Sequence, residues 1–135
     1  MPVFQWRDAY SVNVRQIDNE HKQLFDLANE MYDAMYATKG ADVLGPILNR
    51  LVDYAGTHLS NEERLMQTYG YPDFAAHKRA HDELRKKVGE YVEKTKSGEG
   101  ETFIEVARFL GDWLRSHIQQ VDRRYTEHLN ARGLT

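Results

Sequence analysis

Apolar residues recur three and four positions apart through four long stretches of the chain, and this spacing constrains the fold more than any other feature. A three-and-four period lays one apolar stripe along one face of a helix, whereas a half-buried strand needs strict alternation, and no long alternating run occurs. With three prolines in 135 residues, little interrupts the pattern. An all-α fold is predicted.

The stretches divide cleanly. An arm over residues 1–17, carrying Phe4, Trp6 and Tyr10, precedes a first helix with Asp18 as N-cap and Leu24, Phe25, Ala28, Met31, Tyr32 and Met35 inward, stopping near Gly40. A second opens near Asp42, tolerates Pro46 close to its start, carries Ile47, Leu51, Tyr54, Ala55, Leu59, Leu65 and Met66, and ends at Gly70 and Pro72. The third follows Pro72-Asp73 with Phe74, Leu84, Val88, Tyr91 and Val92 inward, and "KSGEGE" at 96–101 reads as a turn. The fourth opens on the capping-box pattern Thr102-x-x-Glu105 and runs through Val106, Leu110, Trp113, Leu114, Val121 and Tyr125 to Leu129. Helices of about 20 to 29 residues joined by short links pack antiparallel to their neighbours. The expectation is one domain over 1–135, with an N-terminal arm and an up-down-up-down four-helix bundle over 18–130.

Composition narrows the function classes. Lys and Arg number 18 against 21 Asp and Glu, and no basic stripe interleaved with aromatics occurs, so nucleic acid is an unfavourable partner. The absence of cysteine excludes disulfides, iron–sulfur clusters, thiolate nucleophiles and covalent c-type haem attachment. Any metal must take nitrogen and oxygen ligands. The start, Met1 to Arg7, has no basic segment followed by an apolar run, and no membrane-length apolar stretch follows. A cytoplasmic monomer without membrane insertion or attached output segment is expected.

Five of the six histidines fall on the apolar stripes. His21 shares a face with Ile17 and Phe25; His58 follows Ala55, with Glu62 one turn on; His77 and His81 of "HKRAH" continue the series Phe74 to Leu84; His117 lies between Trp113 and Val121. Burying five imidazoles and a carboxylate without partners would cost on the order of 1–3 kcal/mol for each group. A metal centre resolves that cost by turning them into ligands. In antiparallel helices, a level reached early in one helix is reached late in the next. His21, His58 with Glu62, His77 with His81, and His117 with Asp122 satisfy this rule at one end of the bundle. His128 lies about 16 Å further along the axis and is read as a surface residue. Asp122 is about 140° around an ideal helix from His117, so a local distortion, expected to be π-type, must lie between them.

Two six-coordinate metals offer twelve positions. Five imidazoles and two bridging carboxylates take nine, a bridging oxide or hydroxide two more, and one stays vacant. Two tetrahedral zinc ions offer too few positions for these donors. Lys78 stands where a zinc protease motif needs glutamate.

With "IDNEH" at 17–21, "HLSNE" at 58–62, "HKRAH" at 77–81 and "HIQQVD" at 117–122, the sequence resembles the hemerythrins, in particular the single-domain bacterial hemerythrins, over essentially its whole length. The resemblance implies a non-haem, oxo- or hydroxo-bridged diiron site. His77, His81 and His117 would hold one iron, His21 and His58 the other, and Glu62 and Asp122 would bridge them. Dioxygen would bind reversibly at the vacancy, for transport, storage or delivery to an oxygen-consuming enzyme. The protein would be a carrier rather than an enzyme. Leu24, Leu59 and Trp113, beside His21, His58 and His117, are candidates for a dry pocket wall; Gln120 is a polar residue near the same region. A diiron oxidase or peroxidase, a nitric oxide-handling enzyme, or a sensor of oxygen or iron is the alternative use of the same vacancy.

Overall fold

The computed structural model describes residues 4–37, 40–96 and 100–135. Four long helices form the bundle: α1 (Arg15–Tyr36), α2 (Ala41–Thr68), α3 (Phe74–Thr95) and α4 (Gly100–Gln120), with a short α5 (Thr126–Ala131) closing one end. Each of α1 to α4 packs against its neighbours in chain order, and α4 packs back on α1, so the four enclose one core. The buried stripes are those the period requires. Ile17, Leu24, Phe25, Ala28 and Met31 line α1, Leu44, Leu48, Leu51 and Leu59 line α2, Leu84 and Val88 line α3, and Val106, Leu110, Leu114 and Ile118 line α4. Tyr54, Tyr91, Val92 and Trp113, expected to point inward, lie half-buried at the edge of this core.

Helix ends depart from the expectations. α1 begins at Arg15, three residues before Asp18, and no side chain caps it. Asp18 instead faces back along the chain, accepting from the Val12 backbone N–H at 2.8 Å and the Ser11 hydroxyl at 2.6 Å, and so ties the arm to the first turn. Thr102 lies inside α4, which opens at Gly100, so it cannot be the N-cap; its side chain and residues 97–99 of the expected turn lie outside the described residues. Gly70 does end α2 as its sequence suggests. At φ 66° it takes the left-handed conformation, while its N–H donates to the Gln67 carbonyl and that of Tyr71 to the Met66 carbonyl.

α4 does not continue to Leu129. It stops at Gln120, Val121 leaves helical geometry at φ −112°, and residues Asp122–Tyr125 form a tight three-per-turn segment before α5. Val121 N–H still donates to the His117 carbonyl at 2.8 Å, and Arg124 N–H to the Val121 carbonyl at 3.2 Å. The distortion between His117 and Asp122 is therefore an ending followed by overwinding, not a π-bulge. The chain turns at Val121, and with that turn Asp122 Oδ1 comes to 2.9 Å from His117 Nε2.

His128 also departs from its reading as a surface residue. It is half-buried, donates from Nε2 to the Tyr69 carbonyl at 2.7 Å, packs edge-on against Tyr71, and lies 3.2 Å from Arg132 through Nδ1. It fastens α5 to the end of α2.

Candidate metal centre

The bundle brings all seven sequence-derived donors to one point in its core. None of His21, His58, Glu62, His77, His81, His117 and Asp122 is more than 6 % exposed. They sort into two groups that share both carboxylates: Glu62, His77, His81, His117 and Asp122 on one side, and His21, His58, Glu62 and Asp122 on the other. Each carboxylate divides its oxygens between them. On the three-histidine side, His77 Nε2 is 2.8 Å from Glu62 Oε1 and 2.9 Å from Asp122 Oδ1; His117 Nε2 is 2.9 Å from Asp122 Oδ1, and His81 Nε2 is 3.3 Å from Glu62 Oε1. On the two-histidine side, His58 Nε2 is 3.1 Å from Glu62 Oε2, and His21 Nε2 is 3.2 Å from Asp122 Oδ2 and 3.7 Å from Glu62 Oε2.

Apart from the hydrogen bond between His77 Nε2 and Glu62 Oε1, these approaches are short but lack hydrogen-bond alignment: both oxygens of Asp122, Oε2 of Glu62 and Nε2 of His21 are buried without a hydrogen-bond partner. An orphaned buried polar atom costs about 1–3 kcal/mol, and here several point at a common space. Ring nitrogens also crowd together, with His117 Nε2 3.2 Å from Nε2 of both His77 and His81. Ligands about 2.1 Å from a shared ion stand about 3.0 Å apart on adjacent vertices of an octahedron, against about 3.4 Å for a tetrahedron. Donor separations of 2.8 to 3.3 Å on the three-histidine side therefore suit an octahedral cation. The residues present fit a metal.

The charge balance agrees. Burial pulls His58 down, but the Glu20 and Glu62 carboxylates outweigh it and hold the imidazole up to about 10; Asp122 and Glu62 likewise hold His77 up to about 9 against its burial. Burial would raise Glu62 and Asp122, yet the facing imidazoles hold Glu62 well below the ordinary carboxylate range and Asp122 below it too. The carboxylates thus demand positive charge in front of them, which protons supply in the metal-free chain and a cation can supply instead.

Two further carboxylates orient the imidazoles, and reading the sequence missed both. His58 Nδ1 donates to Glu20 at 2.6 Å and His81 Nδ1 donates to Glu63 at 2.8 Å, which aims each Nε2 inward, where a metal would bind. Arg85 in turn pairs with Glu63 at 2.7 Å. The available signal was adjacency: Glu20 precedes His21 and Glu63 follows Glu62, each serving a histidine on the neighbouring helix. Ring packing fixes two more imidazoles. His117 stacks on Trp113 at 4.1 Å between centroids, and His77 on the fully buried Tyr125 at 5.6 Å.

Beside the two-histidine side lies an apolar cavity of about 30 Å³. Leu24, Leu59 and Trp113 line it, as does His58. Gln120 is exposed and faces solvent.

A four-helix bundle with a buried histidine–carboxylate site built for iron-like coordination is the class of protein these features define. Comparison with known proteins gives the same class independently: residues 12–129 match the family described as "Hemerythrin HHE cation binding domain". The chain belongs to the hemerythrin family, and its buried cluster is a hemerythrin-type iron site. It is 39 % identical to the bacteriohemerythrin of Methylococcus capsulatus over 97 % of this chain and 100 % of that one. With the bacteriohemerythrin of Stenotrophomonas maltophilia the identity is 33 %, over 97 % of this chain and 84 % of that one. A crystal structure of wild-type hemerythrin superposes with a TM-score of 0.86 at 38 % identity, covering 94 % of this chain and 98 % of the other.

Proposed function

We propose that this chain binds dioxygen reversibly at a non-haem diiron centre, for transport, storage or delivery to an oxygen-consuming enzyme. The observation that carries the reading is the asymmetry of the shared carboxylates: three imidazoles gather on one side of Glu62 and Asp122, two on the other, and the two-histidine side adjoins the apolar cavity. His77, His81 and His117 would hold one iron and His21 and His58 the second, with Glu62 and Asp122 bridging. Two irons so held would supply reversible two-electron exchange with dioxygen at the position the two-histidine side leaves free.

The chain's own residues support reversibility. Leu24 and Leu59 help keep the cavity wall almost wholly apolar, so water gains few partners there. Glu20 and Glu63 fix the ring orientations of His58 and His81, which limits the rearrangement between liganded and unliganded states. Tyr125, its hydroxyl buried without a partner, is pushed well above its ordinary range by burial and by the nearby Glu62 and Asp122, and stays a neutral phenol rather than a proton source. No helix among the described residues is long and apolar enough to cross a membrane. The carrier proposed is a cytoplasmic monomer.

The test is iron analysis of the purified protein followed by anaerobic reduction and oxygen titration under optical absorption. Repeated binding and release with full recovery supports the carrier. Sustained oxygen consumption with a reductant and substrate overturns it in favour of a diiron oxidase or peroxidase.

A further inference from the structure

The wall of the apolar cavity has a weak place, and the N-terminal arm sits on it. Ala28 of α1 and Gly111 of α4 both line the cavity, and two such small residues leave the seam between these helices thin at that level. A Cβ added at Gly111 would lie 1.8, 2.2 and 2.7 Å from Cζ, Cε1 and Cε2 of Phe4. The Phe4 ring therefore occupies the space where a side chain of α4 would otherwise stand. It is only 3 % exposed, packs against Phe25 and Tyr32 of α1, and carries the Arg115 guanidinium 4.8 Å from its centroid.

The arm is held there by a dedicated latch. Asn29, next to the cavity-lining Ala28, accepts from the Phe4 N–H through Oδ1 at 2.8 Å and donates through Nδ2 to the Phe4 carbonyl at 2.7 Å. One carboxamide thus satisfies both backbone groups of the residue that carries the ring.

We propose that Phe4 is the stopper of the α1–α4 seam, a positioning residue latched by Asn29 over Gly111, and that it keeps water out of the cavity beside His58. The inference rests on reading that cavity as the oxygen side of the centre. Without the ring, the seam between Ala28 and Gly111 opens to solvent, and water reaches the two-histidine side.

Crystal structures and air-exposure kinetics of the full-length, iron-loaded protein test this with three chains: wild type, Phe4→Ala, and Phe4→Ala with Gly111→Leu. A leucine at position 111 projects from α4 into the vacated space and closes the seam from the other side. Expected are ordered waters running past Gly111 into the cavity in Phe4→Ala, and a dry cavity in the wild type and the double variant. The rate at which air-exposed protein loses its capacity to rebind oxygen should rise about tenfold in Phe4→Ala and return toward wild type in the double variant, with iron content unchanged. Should Phe4→Ala fail to fold, Asn29→Leu removes the latch, keeps the ring, and is expected to show the same waters. A dry cavity without the ring or latch, waters already in the wild type, or a double variant no drier than Phe4→Ala overturns the proposal. The water positions are read without oxygen, so they judge the stopper even if reversible binding fails.

Discussion

Glu20 and Glu63 hold equivalent positions behind His58 and His81, yet the structure predicts that they matter unequally. Removing the charge behind a ligating imidazole typically costs ten- to a hundredfold in metal affinity, or about 1.4–2.7 kcal/mol. Glu20 receives only neutral donors besides His58, from Gln16 and Asn61 at 3.2 and 3.3 Å, so its full charge acts on the ring. Glu63 is already paired with Arg85 at 2.7 Å, and part of its charge is spent there. His58 is also one of two imidazoles on its side of the centre, whereas His81 is one of three. Glu20→Gln keeps an acceptor oxygen for His58 Nδ1 but loses the charge-assisted part of the bond, which is roughly half its strength. Glu20→Gln is therefore expected near the upper end of that range, by about fiftyfold, and Glu63→Gln near the lower end, at about tenfold. Anaerobic competition between each variant and a chelator of known iron(II) affinity measures both. Equal losses, or a greater loss in Glu63→Gln, would refute the reasoning about Arg85 and ligand number.

Three further outcomes follow from other parts of the molecule. Gly70→Ala forces a side chain into the left-handed region at φ 66° and should cost about 1–2 kcal/mol, read as a lower midpoint in thermal unfolding with iron content unchanged. His128→Leu leaves the Tyr69 carbonyl without its donor and should cost about 1 kcal/mol in urea unfolding, again without loss of iron. In the metal-free protein, His58 and His77 are raised to about 10 and 9 when folded, above their unfolded value near 6.5. Their stabilisation is complete below the unfolded value and is lost as pH rises through 9 to 10, so the metal-free unfolding midpoint should fall across that window while the iron-loaded midpoint stays nearly level.

Much of this was legible in the chain because one rule governs it. His21, His58, His77, His81 and His117 share a stripe with core leucines, and a helical period converts that into a common buried face. Antiparallel packing converts their positions along each helix into a common level. Even Asp122 announced itself, since a 140° misfit had to be repaired somewhere. The form of the repair was not legible: α4 ends at Gln120 and the chain turns at Val121 just before α5 docks, where His128 reaches the Tyr69 carbonyl. Asp18 and Thr102 have the residue types of caps, but the arm claims the Asp18 carboxylate and α4 starts before Thr102. Glu20 and Glu63 look like ordinary solvent-facing residues until the helices are set side by side. Phe4 and Gly111 are more than a hundred positions apart, and nothing periodic links them.

The central claim is that Glu62 and Asp122 stand between two metal positions, one facing three imidazoles and the other two. Anomalous diffraction collected on either side of the iron absorption edge from crystals of the purified protein tests it most directly. The account predicts two iron peaks in the core, one among His77, His81 and His117 and one beside His21 and His58, both contacting the two carboxylates. A single peak, or iron held elsewhere on the chain, would contradict it.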